Sequence, residues 1–204
     1  MGDRTNDAVR VDGRDLRCKV VGEGGNLGCS QLGRIEYALH GGRLNTDFVD
    51  NSGGVDCSDH EVNIKILLGI GEARGDLTRK QRDELLADVA EDVVRHVLYD
   101  NYLQAQILSQ EVAASATRIR DYEDLMASLE AQRLLDRAIE ELPTSEEMAE
   151  RERTGAGMAR PELAVLLAYA KLSLKTTILG SNLPDDPYLE GDLRRYFPDV
   201  VVER

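Results

Sequence analysis

The sequence predicts a helix-rich chain that opens with a partial Rossmann-like α/β unit and continues as a mainly α-helical region. Two glycine-rich stretches, residues 22–28 and 51–55, each follow a segment that reads as a short strand, as loops at the ends of parallel strands do. Beyond residue 58, apolar residues recur every three or four positions, the period of an amphipathic helix. Aromatics make up 4% of the chain and Trp is absent, so the core has to be built from Leu, Val, Ile and Ala.

Taken in order, residues 1–16 are polar and hold the turn pair Asp12-Gly13. Residues 17–21 alternate and end at glycine, predicting a short strand. Leu32, Ile35 and Leu39 have helical spacing, and Gly41-Gly42 ends that helix. Residues 44–49 predict a second strand leading to Asn51-Ser52-Gly53-Gly54, which completes one βαβ unit. Ser58 and Glu61 have capping-box spacing and predict a helix to about residue 73, broken by Gly75-Asp76. Thr78 and Gln81 repeat the box ahead of the stripe Leu86, Val89, Val93, Val97. Helical periodicity returns from Leu125 to Leu142, and residues 143–160 read as a weak helix and a loop. Pro161 suits a first helical turn, and the stripe from Leu163 to Ile178 predicts the most buried helix. A turn at residues 183–187 and a short helix near Pro198 follow. The domain boundary expected from this pass divides residues 1–57 from 58–204.

The chain carries 38 acidic and 25 basic residues, a net charge of −13. Such a surface repels nucleic acid and anionic membranes, which argues against both as partners. No apolar run approaches the ~20 residues of a membrane span, and the first residues lack a signal-peptide pattern. Cys18, Cys29 and Cys57 form no C-x-x-C pair, and their odd number suits reduced thiols in a cytoplasmic protein. His40, His60 and His96 make no metal-ligand pattern with them, so no metal site is expected. His40 stands at a helix end, His60 reads as a surface or packing residue, and His96 as a core histidine. None of them is a catalytic candidate.

The first glycine loop approaches the dinucleotide fingerprint G-x-G-x-x-G, but Gly28 comes one residue late after Gly22 and Gly24. Asp47 stands where an acidic ribose partner would fall. Asn26 and Asn51 carry amides that donate and accept at once, suited to a nicotinamide carboxamide or a ribose and equally at home in turns. Ser58 reads as an N-cap in a position where free amides favour an anion.

These residues lead to a resemblance. The run VVGEGGNLGCSQLGRIEYALHGGRLNTDFVDNSGGVDCSDHEVNIKILL is similar to the large NAD-specific glutamate dehydrogenases of bacteria. The stretches LTRKQRDELLADVAEDVVRHVLYDNYLQAQ, ARPELAVLLAYAKLSL and LPDDPYLEGDLRRYFP resemble the same family, so the likeness spans nearly the whole chain. Smaller glutamate dehydrogenases share E-G-A-N and N-A-G-G-V-x-x-S-x-x-E. Here Glu23-Gly24-Gly25-Asn26 matches the first with Gly for Ala. Asn51-Ser52-Gly53-Gly54-Val55, Ser58 and Glu61 match the second with Ser for Ala.

The resemblance implies NAD as cofactor, contacted by Gly24, Asn26 and Asn51. It implies L-glutamate and 2-oxoglutarate as substrate and product, held by Val55 and by Ser58 at the side-chain carboxylate. The loop at Gly22 becomes a later crossover of a dinucleotide-binding domain, with residues 1–57 as that domain's C-terminal part. The family's catalytic Lys and Asp fall in a lobe that nothing here resembles. The expectation is therefore a segment of a longer, homo-oligomeric enzyme, inactive alone, with the remainder of the parent chain as its partner. The rival expectation is a non-catalytic helical interaction or oligomerisation module whose glycines are structural turns.

Overall fold

Ser30 opens the first helix by accepting a hydrogen bond from the Gly33 amide through its hydroxyl, as an N-cap does. In this computed structural model, which describes Thr5, residues 7–25 and residues 28–203, that helix is α1, Gln31–Leu39. His40 donates from Nδ1 to the Glu36 carbonyl at 2.8 Å, and Gly41 turns the chain away with φ 87°, a conformation that costs glycine little. The helices that follow are α2 (Asp47–Asp50), α3 (Ser52–Arg74), α4 (Arg79–Asp88), α5 (Ala90–Ala114) and α6 (Ile119–Ala131). The last four are α7 (Ser145–Thr154), α8 (Arg160–Leu179), α9 (Glu190–Tyr196) and α10 (Asp199–Val202). No helix among the described residues is long and apolar enough to cross a membrane.

The expected helical character is observed, and the Rossmann-like α/β unit is not: the described residues contain no strand. One isolated parallel bridge joins Val20 and Arg43. There the Val21 amide donates to the Arg43 carbonyl at 2.9 Å and the Arg43 amide to the Lys19 carbonyl at 3.1 Å. The second expected strand fails for a local reason. Thr46 accepts hydrogen bonds from the Val49 and Asp50 amides, and the chain turns into α2. The Asn45 side chain bonds Asp50 and the Asp47 side chain accepts from the Phe48 amide, local alternatives to a ladder, and Asn and Asp disfavour strands.

The described chain divides into two compact units. The first comprises residues up to Asp50 together with Ala105–Leu172. Leu108, Met126, Leu129, Leu163 and Leu166 lie at its centre, with Val49, Ile119, Tyr122 and Met148 around them. Thr144 and Glu147 close a capping box on α7, which is a well-formed helix where the sequence suggested a weak one. The periodicity across residues 132–142 does not become a helix, because Arg133 and Glu141 adopt φ of 57° and 52°. Leu135 and Leu142 are nevertheless buried. The start of α8, Pro161 to Leu166, is buried throughout. The expectation of a buried helix holds for that part only, since Leu172, Leu174 and Leu179 are exposed.

Arg137, on the turn after α6, is held by Glu123 at 2.8 Å and by the Pro143 carbonyl at 3.2 Å. The Arg137 hydrogen bond keeps the Glu123 carboxyl below its usual range, against the opposing effect of burial and with help from Ser145. Stability from a depressed carboxyl is complete above the unfolded pKa and is lost as pH falls through the folded one. Glu123→Gln is therefore expected to flatten the acid limb of the Tm–pH curve below the ordinary value of 4.5. An unchanged limb would remove Glu123 from the acid response.

The second unit comprises Asn51–Gln104 together with the residues from Ser173 onward. Ile64, Leu68, Leu85, Val89 and Val93 form its core, with Phe197, Val200 and Val201 packed against them. Gly75 ends α3 in left-handed backbone, and Thr78 with Gln81 forms the expected capping box on α4. α3 begins at Ser52, earlier than the predicted Ser58. Near that start α3 and α5 pass closely: a Cβ on Gly53 would sit 3.4 Å from the Asn101 amide. The Ser52 hydroxyl donates to Asn101 Oδ1 and accepts from Gln104 at 2.9 Å, fastening the first turn of α3 to α5.

Candidate functional site

Glu23 fixes the base of the first glycine loop. Its amide donates to Asp50 Oδ2 at 2.9 Å, and its carboxylate accepts from Arg34 Nε at 2.6 Å and Nη2 at 2.9 Å. The Cys29 amide donates to the same carboxylate at 3.0 Å, so Glu23 ties both ends of the loop to α1. The two charged side chains are 4% and 6% exposed, and Arg34 Nη2 also lies 3.3 Å from Asp47. Asp47, which by spacing could have served a ribose, is engaged in this pair instead. Asn45 donates to Asp50 at 2.6 Å and accepts from Arg160, which reaches on to Ser109 and the Ala105 carbonyl, each at 3.0 Å.

Above this base Gly24 and Gly25 are open. A Cβ added at Gly24 or Gly25 would meet nothing within 4 Å, so a ligand can approach the backbone there. Burial, and then the Glu23 carboxylate, push the Cys29 thiol above its ordinary pKa, which keeps it protonated and a poor nucleophile. Asn26 lies outside the described residues.

The second set of predicted residues gathers on the first two turns of α3. Asn51 precedes the helix as its N-cap residue, and its side chain makes no capping bond. Val55 is 61% exposed, and Ser58 lies one turn further along, also exposed. Ser58 is not the N-cap that its spacing to Glu61 suggested. Its hydroxyl donates back to the Gly54 carbonyl at 3.1 Å, and Glu61 pairs with Lys65. The free amides of the helix start belong instead to the turn that begins at Ser52. Gly24 belongs to the first unit and Asn51, Val55 and Ser58 to the second.

Arg34 and Arg160 went unnoticed in the sequence because nothing local marks them. Arg34 meets Glu23 across 11 residues and Arg160 meets Asn45 across 115. Of the two readings open for His60, packing holds, since it is fully buried, while His96, expected in the core, is only partly buried.

Comparison with known proteins adds a separate line. Residues 1–111 match the family described as bacterial NAD-glutamate dehydrogenase, catalytic domain, and residues 155–204 match glutamate dehydrogenase, C-terminal. The chain is 54% identical over all 204 residues to an NAD-specific glutamate dehydrogenase of Pseudomonas aeruginosa. It is 52% identical to that of Halomonas elongata and 45% identical to that of Mycobacterium tuberculosis, again over its full length. It spans 13% of the length of each of these relatives.

Proposed function

Since the chain belongs to the bacterial NAD-glutamate dehydrogenase family, we propose that it is a segment of an enzyme that oxidises L-glutamate to 2-oxoglutarate and ammonium. Its part is to hold the nicotinamide side of NAD and the carboxylate of the substrate. The observation that carries this reading is the pair of family motifs on an open backbone loop and on an exposed helix start. Gly24 leaves room for a cofactor against the main chain. The Asn51 amide, free of any capping bond, offers a donor and an acceptor to a carboxamide. NAD, when bound, supplies the acceptor for the hydride that leaves the α-carbon.

Val55 and Ser58 are assigned to the substrate. Val55 presents an exposed apolar surface to the glutamate chain. Ser58 has to exchange one partner for another, because its hydroxyl hydrogen points at the Gly54 carbonyl. Rotation about χ1 redirects it to a carboxylate, and a charged acceptor forms the stronger bond. Holding the reactants in place lowers the barrier even where the segment supplies no acid or base.

We further propose that residues 1–57 complete a dinucleotide-binding domain with the remainder of the parent chain and that 58–204 form its helical region. The parallel bridge at Val20 and Arg43 supports this, since parallel pairs are stable inside larger covered sheets. A cytoplasmic location fits the three free cysteines. Exposed Val62 and Ile66 on α3 and Leu98 and Tyr102 on α5 support burial against the parent chain in a homo-oligomer.

The test pairs two variants in the full-length parent enzyme. Asn51→Ala is expected to weaken NADH binding, read by nicotinamide fluorescence, by about tenfold or more, the worth of one hydrogen bond to a polar ligand. Ser58→Ala should raise the KM for glutamate by a similar factor while leaving NADH affinity as it was. Equal losses for both ligands, or none, would reduce Ser58 to a helix residue and sink its assignment.

A further inference from the structure

Three side chains capable of binding a metal converge between two helices of the second unit, with His96 beside them. α3 contributes Asp56 and His60, and α5 contributes His96 and Asp100. Each pair is four residues apart, hence on one helix face, one turn from its mate. Single donor atoms of Asp56, His60 and Asp100 all lie within 4.8 Å of one another. The His60 ring lies 5.5 Å from that of His96, centroid to centroid.

His60 is the informative member. It is 1% exposed and stacks on Tyr196 at a centroid distance of 4.5 Å, so its ring cannot turn outward to water. Neither of its nitrogens has a hydrogen-bond partner among the described residues, and neither has the buried Asp56 Oδ2. Nε2 faces Asp56 Oδ1 at 3.8 Å, beyond hydrogen-bond distance. Buried polar groups in folded proteins are nearly always satisfied, and unsatisfied ones mark a missing partner or ion. Here three orphaned atoms come from the same two residues, and the gap lies between groups that are all metal ligands.

We propose that Asp56, His60 and Asp100 bind one divalent transition-metal ion, of which zinc is the best match. An imidazole with two carboxylates is the donor set of borderline ions such as zinc, whereas calcium and magnesium take oxygen alone. Zinc bonds of about 2.0–2.2 Å require the donor atoms to close by roughly 1 Å from their present separations. Asp100 is exposed and closes that distance by a change of rotamer. The ion would clamp α3 to α5 one turn along from the Ser52–Asn101 contact. The sequence hides this because the third ligand lies on another helix, 40 residues beyond His60, with no local spacing to mark it.

The test uses the tag-free full-length parent enzyme, stripped of metal and titrated with cobalt(II) and then zinc. One equivalent of cobalt should bind with a visible d–d band and no sulfur-to-metal charge-transfer band, and zinc should displace it and raise Tm. Asp100→Asn changes an exposed side chain, so folding survives it, and circular dichroism verifies that. It should weaken zinc binding by more than about tenfold, since even outer partners of a metal site are worth that much, and Asp56→Asn should do the same. Absence of stoichiometric binding overturns the proposal. So does a thiolate band, which would move the ion to Cys57, or an affinity untouched by both substitutions.

Discussion

Arg34→Met is expected to destabilise the first unit by about 3–5 kcal/mol, the cost of leaving a buried charge without its partner. The Glu23 carboxylate is 4% exposed and receives both forks of the Arg34 guanidinium, so its removal leaves an anion that water barely reaches. Arg34→Lys should recover only part of this, because an ammonium cannot reproduce the two-pronged contact. Replacing both residues with apolar ones is informative as well. Buried ion pairs are often exchanged for apolar pairs at little net cost, but here the Cys29 amide would also lose its acceptor, so the double variant should recover most of the loss but not all. Urea midpoints followed by far-ultraviolet circular dichroism report the comparison. A midpoint for Arg34→Met equal to that of the parent would mean the pair contributes nothing. The same variant should weaken NADH binding in the full-length enzyme, since Glu23, next to Gly24, is anchored by this pair.

Leu108→Ala is expected to cost about 2–5 kcal/mol, through lost burial and the cavity left behind. Leu108 has no exposed surface and packs among Met126, Leu129 and Leu163 of the first unit. Leu134→Ala is the matched control. That side chain is 51% exposed, and the same chemical deletion there should change stability by less than about 0.5 kcal/mol. A small effect at Leu108, or equal effects at the two sites, would mean that this core relaxes around a void.

Legibility varied along the chain in a way that follows the range of the forces. Thr78 with Gln81 and Gly75 were readable because a cap is made by groups within four residues of each other. Thr144 and Glu147 carried the same local signal, and the helix they begin was underestimated because its exposed face is charged. Ser58 with Glu61 shows the limit of that signal. The spacing was right, but Ser52, Gly53 and Gly54 continue the helix backward because α5 lies close enough to fasten them. The apolar stripe at the end of α6 misled in the opposite sense. Leu135 and Leu142 are core residues reached by turns rather than by a helix.

By itself, the sequence determined the family, the helix-rich class, and a few helix ends, among them the start of α4, the stop of α3 and the first turn of α8. Those follow from side chain to backbone bonds over a few residues and from motifs read in one dimension. Tertiary structure alone decided that the glycine loop rests on a buried Glu23–Arg34 pair and that the expected strands shrink to a single bridge. It alone also brought Asp56 and His60 to Asp100. Such pairings depend on which charged or polar groups lose water together, and that is settled by packing between segments far apart in the chain.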